Sequence, residues 1–447
     1  MRNMSLVLSQ PRIGALALFV CVGLLLSANP RAGLSLTLEQ ALSFSLAHDP
    51  EFLGAQSALV ASQERRVQAQ RRLGPTVSAD LEARRVDIAP QPSGPDVSLN
   101  QKSYAVTLRQ PLYNPGLSRG LNQAEQRLRA SEAILVQAQQ DAILRLVSAY
   151  FDILVAQDSL ATVRAEKTAI SEQLALAKRS FEVGTATITD QQEAQARFDL
   201  TAAREIAAQN QLNIARNALA LLTRQPTPEA LQGFGSGAKI PIPEPQDLQV
   251  WVKTAREQNP AVVRSRILAE AAKIEISRRS AADLPTVGLT ASHSHSWQTT
   301  SRSDDQRRNL VGLVVSIPLV GGPVAAEVRE ASALAEEEAY RSESAQLAAE
   351  QNARAAFLSV MAGLAQVAAL EAAERSSQLA LASNKLGYEV GVRINIDVLN
   401  AQQQLFAAQR DLSKARYDTL LAGLRLKAAA GQLQSSDISR LSNQARQ

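Results

Sequence analysis

Two uninterrupted stretches limit what this chain can become. From Leu117 to Val183, and again from Val324 to Val390, no proline breaks a pattern rich in Ala, Gln, Leu and Arg. Apolar residues recur there at helical spacing, as at Ile143, Val147, Tyr150 and Leu154, and at Phe357, Leu364, Val367 and Leu370. Rising ~1.5 Å per residue, each helix is a rod of roughly 100 Å. No single globular core covers such a rod, so the chain calls for coiled-coil packing or a helical barrel. Aromatic residues make up only 4% of the 447, thin material for a large core and good material for long helices.

Each rod ends in the same device. Phe181-Glu-Val-Gly184-Thr-Ala-Thr-Ile-Thr-Asp190 is repeated 207 residues later as Tyr388-Glu-Val-Gly391-Val-Arg393-Ile-Asn-Ile-Asp397. Gly184 and Gly391 stand where a helix C-terminus needs a residue tolerant of positive φ. Asp190 and Asp397 stand where a carboxylate accepts hydrogen bonds from the free N–H groups of the next helix. Return helices are expected from Asp190 to about Leu222 and from Asp397 to about Ala430.

The rest of the chain repeats as well. Leu36 to Pro50 has its counterpart in Gln246 to Pro260, and each proline opens an Ala- and Arg-rich helix. Pro75 and Pro285 end those helices and force extended chain. Period-two alternation follows. Val77, Ala79, Leu81 and Ala83 share one face, and Ser78, Asp80, Glu82 and Arg84 the other. Polar loops are expected over 89–101 and 294–308, and Pro111 and Pro318 close the returning strands. Each strand has about 10 alternating residues, enough to cross a bilayer when tilted. Four strands close no barrel, and an open edge is not tolerated in lipid. These are therefore either soluble hairpins or strands that several chains pool in one barrel.

The first residues read as a signal peptide, 1–28 with cleavage as late as 32: Arg2 and Arg12 precede the apolar run Ile13 to Leu26. The single cysteine, Cys21, lies in that run, so no disulfide framework or thiolate metal site is expected afterwards. The net charge is +4, with no basic cluster interleaved with aromatics, so nucleic acid is not expected as a partner. No nucleophile elbow, phosphate loop or carboxylate pair points to an enzyme or a cofactor. His293 and His295 share one strand face, but no third ligand is evident and no metal is expected. A polar, aromatic membrane rim with Trp297 is the simpler account. Arg84, Arg85, Lys102 and Arg109 either bias a lumen toward anions or are solvated rim charges.

On the two turns, the paired Pro-Thr-Val strand openings at Pro75 and Pro285, and the two halves, the chain resembles the TolC-like outer-membrane channel family. That family includes outer-membrane efflux proteins and the exit ducts of type I protein secretion. The resemblance implies a mixed α/β membrane protein and a homotrimer. Four strands per chain would close a 12-stranded transmembrane β-barrel in outer-membrane lipid, continued by a long periplasmic α-helical barrel. The implied organisation is helices over 36–73, a hairpin over 75–112, long and return helices over 114–222 and a linker over 223–250. Helices over 251–283, a hairpin over 285–319, long and return helices over 321–430 and a polar tail over 431–447 complete it.

The resemblance also implies a passive duct for secreted proteins or drugs. A periplasmic adaptor and an inner-membrane ABC or proton-driven transporter would open it. Thr189, Asp190, Tyr388 and Arg393 would link neighbouring coils and close the mouth. Asp397 would narrow the pore, and Asn400 replaces the second aspartate of that constriction. Capping alone accounts for Asp190 and Asp397 without excluding pore lining, whereas Arg393 opposite Ala186 and Tyr388 opposite Phe181 break the repeat's symmetry. The alternative reading is a periplasmic coiled-coil adaptor or scaffold without a pore.

Overall fold

The structure is a computed structural model that describes residues 36–88, 97–231, 233, 240–299, 304–319 and 322–444. The expected signal peptide, with Cys21, lies outside the described residues. Helices α1 (Leu38–His48) and α2 (Pro50–Arg71) precede strands β1 (Thr76–Ile88) and β2 (Val97–Tyr113). The long α3 (Pro115–Glu182) and α4 (Ile188–Thr223) follow. The same order returns as α5 (Leu248–Gln258), α6 (Pro260–Ser280), β3 (Thr286–Thr299), β4 (Asp304–Ser316), α7 (Val324–Glu389) and α8 (Asn395–Ala429), with α9 (Ser435–Gln444) at the end.

Local chemistry explains the boundaries. Thr37 and Gln40 form a capping box on α1. Asp49 and Asn259 cap α2 and α6, whose first residues are Pro50 and Pro260. Asn114 caps α3 ahead of Pro115. The return helices begin two residues earlier than expected, at Ile188 and Asn395. The aspartates therefore occupy the third helical position rather than the first.

The four strands form one antiparallel sheet in the order β1-β2-β3-β4, so β1 and β4 are its two edges. The register puts Val77 opposite Leu108, Ala79 opposite Val106, Ala291 opposite Leu108 and Val311 opposite Ala291. That face is apolar and uncovered within the chain: Leu81 is 86% exposed and Val311 78%. The other face carries Ser78 opposite Thr107 and Thr107 opposite Ser292. Arg84 and Arg109 lie on this polar face, while Arg85 and Lys102 fall on the opposite one. The four cations therefore do not line one surface.

Strand pairing outlasts the apolar pattern. Pairing continues to Ile88 opposite Val97 and Gln298 opposite Asp304, so much of the stretches expected as loops is strand. Polar and aromatic cross-strand contacts replace apolar ones there. Arg84 Nε donates to Gln101 at 2.8 Å, and Tyr104 packs its ring at 5.8 Å from His293, His295 and Trp297. His295 pairs with Asp305, and His293 hydrogen-bonds Asn309 at 2.5 Å. Pro75 and Pro285 directly precede β1 and β3, and Pro318 follows β4. Pro111 does not close its strand. β2 runs on to Tyr113 through an irregularity between Pro111 and Tyr113, the usual way a sheet absorbs a residue with no N–H to give.

The main core lies midway along α3. Ile143, Leu146, Val147, Ile153 and Leu154 pack with Leu42 of α1, Leu219 of α4, Leu424 of α8 and Ile438 of α9. The C-terminal stretch is accordingly not a plain polar tail. Leu433, Ile438 and Leu441 are buried, and Lys427 Nζ pairs with Asp437 at 2.7 Å. Gly431 allows this docking: its φ is +74°, and a Cβ there would lie 2.3 Å from Gln258 O.

Candidate functional site at the paired helical turns

α3 and α7 end in one hydrogen-bonded motif. Gly184 and Gly391 take φ of +81° and +77°. Thr185 N–H donates to Ser180 O at 2.8 Å and Gly184 N–H to Phe181 O at 3.0 Å. Val392 N–H donates to Gly387 O at 2.8 Å and Gly391 N–H to Tyr388 O at 3.1 Å. These paired bonds satisfy the last carbonyls of each helix and require the left-handed glycine between them.

The restarts differ. At α4, Thr187 and Asp190 form a capping box: the carboxylate accepts from Thr187 N at 2.9 Å, and Thr187 Oγ1 accepts from Asp190 N at 3.2 Å. At α8 the cap position is Ile394, which has no side-chain acceptor to offer. Asp397 is left free of capping and lies 3.6 Å from Arg393 Nη1. One turn thus spends its carboxylate on backbone, and the other on a cation four residues away. The stem of Arg393 crosses Gly387, where any Cβ would come within 2.7 Å of Arg393 Cγ.

The turns flank a cleft of about 750 Å³ whose lining includes Asp190, Tyr388, Arg393 and Asn395. Among the described residues, no hydrogen bond or ion pair joins Tyr388 or Arg393 to Asp190 within one chain, and Thr189 is exposed. The physical reason for Arg393 is proximity: Asp397 sits one helical turn away on the same chain. Asn400 is exposed and accepts from Arg197 Nη2 of α4 at 3.0 Å.

Buried amides tie the two turns together. Asn395 is only 3% exposed. Its Nδ2 donates to Asp190 O at 3.4 Å, and its Oδ1 accepts from Gln173 of α3 at 2.5 Å. Gln402 is buried beside it, with Oε1 lacking a donor. Sequence reasoning passed over Asn395, Gly387 and Arg197. Repeat asymmetry was the signal for the first two, since Asn395 stands opposite Ile188 and Gly387 opposite Ser180.

The profile of the outer membrane efflux protein family matches residues 41–223 and 251–432. The chain is a member of the outer membrane efflux protein family. Its TolC-like character extends to individual relatives. Outer membrane protein TolC of Vibrio cholerae is 30% identical over 414 residues, spanning 88% of this chain and 90% of that one. The alkaline protease secretion protein AprF of Pseudomonas aeruginosa is 32% identical over 343 residues, 75% and 71% of the two chains. In fold, the chain superposes on the outer membrane protein VceC of Vibrio cholerae with a TM-score of 0.75 at 19% identity, covering 88% of this chain and 96% of VceC. This TolC-like efflux protein resides in the outer membrane, and its helices form a periplasmic extension. Its relatives are channel proteins, and its paired turns lie at the end of the helical rods remote from the sheet.

Proposed function

We propose that this protein is one subunit of a homotrimeric exit duct of a tripartite export machine. Three four-stranded sheets join edge to edge as a 12-stranded barrel, and the helices continue as a periplasmic tunnel. The observation that carries this reading is the sheet itself. It has an uncovered apolar face and two free edges, an arrangement that lipid tolerates only when the edges are paired. The helices agree with it. α7 contains a segment apolar enough to cross a membrane of which only 17% is buried within the chain. Its Tyr340 and Leu347, and its Leu379 and Leu386, are exposed pairs seven residues apart, the spacing of a coiled-coil seam. A second copy covers that seam.

The duct is passive and has no energy source of its own. A periplasmic adaptor and an inner-membrane ABC or proton-driven transporter dock at the turns and open them. Relatives named for protease secretion and for efflux support a protein or small-molecule cargo. Two membrane-length hairpins favour the duct over a poreless scaffold. At the mouth, Tyr388 and Arg393 reach Thr189 and Asp190 of a neighbouring subunit, while Asp397 and Asn400 narrow the pore. Exposed ion pairs contribute only ~0–1 kcal/mol each, a strength suited to links that must part. Planar-bilayer recording tests the reading. Arg393→Ser with Tyr388→Phe should raise single-channel conductance, and Asp397→Ala should alter cation sensitivity on the periplasmic side. Failure of the purified protein to insert would refute the barrel.

A further inference from the structure

Above the turns, a side chain of α4 reaches across to α8. Arg197 of α4 donates from Nη2 to Asn400 Oδ1 at 3.0 Å and from Nη1 to Gln403. Asn400 and Gln403 are three residues apart on α8, so both acceptors face the same way. The planar guanidinium fork matches two such acceptors, which a lysine ammonium does not. Glu166 of α3 is buried, its side chain 5% exposed, with Arg204 Nη1 of α4 at 3.3 Å. Burial pushes its carboxyl above the ordinary value, against the pull of Arg204, Arg410 and Arg197. Glu166 is paired with Arg204, and Arg410 and Arg197 add further positive charge around it.

We infer that Arg197 is a positioning residue of the mouth: it clamps α4 to α8 through Asn400 and Gln403 and cancels acidic character at the constriction. The inference rests on the duct reading given above. It has two consequences. The clamp is a latch separate from Arg393, which lies in the α7–α8 turn, whereas Arg197 lies more than two turns into α4. A carboxylate introduced at position 400 would meet Arg197 before it met a mobile cation.

The test uses the full-length protein, purified as its oligomer and recorded in planar bilayers, in a double-mutant cycle. Arg197→Ala, which removes both links, should raise the open-to-closed ratio by roughly tenfold or more, and Asn400→Ala, which leaves the Gln403 link, by less. The double variant should not exceed Arg197→Ala, which already removes both links. Arg197→Lys keeps the charge and loses the fork, so it should open the mouth less than Arg197→Ala. Lanthanum ion is then added on the periplasmic side. Asn400→Asp alone should keep the wild-type sensitivity, and Arg197→Ala with Asn400→Asp should be blocked at lower lanthanum concentration. Wild-type conductance in an intact Arg197→Ala oligomer would overturn the inference, as would additive effects or equal block of Asn400→Asp with and without Arg197. The same cycle read as thermal melting of the solubilised protein decides the α4–α8 coupling without a channel. A wild-type protein that never conducts therefore counts against the duct and leaves the clamp decided by melting.

Discussion

Three glycines share a left-handed backbone but differ in what surrounds them, and this permits an internally controlled experiment. Gly184, Gly391 and Gly431 have φ of +81°, +77° and +74°. Nothing lies within 4 Å of a Cβ built on Gly184 or Gly391. A Cβ on Gly431 would lie 2.3 Å from Gln258 O and 2.7 Å from Gln258 C, where α5 gives way to α6. Those are backbone atoms, so no side-chain rotation relieves the clash. Asn259 Nδ2 also donates to Ala429 O at 2.9 Å, which holds the two segments together. Substituting alanine at Gly184 or Gly391 should therefore cost the left-handed conformation alone, about 1–2 kcal/mol. Gly431→Ala adds overpacking worth about 1–3 kcal/mol more, because the segments must part by about 1 Å in a close-packed region. The measurement is thermal unfolding of the three solubilised variants, followed by far-ultraviolet circular dichroism. Gly431→Ala should melt well below the other two, which should resemble each other. Equal melting of all three would show that the Gln258 contact yields freely and would refute the assignment of Gly431 as the weld between α8 and the α5–α6 junction.

The restarts of the return helices make a second contrast. Thr187→Ala should destabilise the α4 turn by about 1 kcal/mol through loss of its capping box, whereas Asp397→Ala should leave the α8 turn's stability nearly unchanged, as read by local amide-exchange protection. Acid sensitivity should centre on Glu275, held at about 2 by hydrogen bonds from Arg278, then Arg279, against the effect of burial. A carboxyl depressed in the folded state stabilises above its ordinary value near 4.5 and loses that contribution as pH falls toward 2. Up to roughly 3 kcal/mol disappears over that window. Glu275→Gln should flatten the acid limb of a stability–pH curve, and an unchanged limb would remove Glu275 as its source.

Long-range repetition and punctuation were legible in the residues. Proline placement marked the starts of α2, α6, β1 and β3, and the absence of proline marked α3 and α7. The turn glycines were equally plain, because only one backbone region explains them. What escaped depended on pairing between segments distant in sequence. The outer halves of the strands look like loop because their alternation is polar. They are strand because Tyr104, His295 and Trp297 meet across the register. α9 was hidden because two buried apolar residues, Ile438 and Leu441, in a polar stretch give little periodic signal. At the turns, equal offsets suggested equal roles for Asp190 and Asp397. The difference came from a neighbour, Ile394 in place of Thr187, that removes the reciprocal half of the cap. Arg197 carried no signal at all in isolation, since an arginine on a polar helix is ordinary until its acceptors on α8 are known.

The four-stranded sheet has a kinetic consequence. With one oily face and two bare edges, a lone copy is out of place in water and equally out of place in hydrocarbon. On the shared-barrel reading proposed above, insertion has to await an encounter with other copies, while the helical rods, rich in local contacts, form early. Delivery to the membrane becomes a matter of collision order: halving the supply of chain should slow the appearance of inserted protein by more than half. The waiting pool is the population in which exposed strand edges are most open to mispairing, so the demand for a chaperone should fall on that interval.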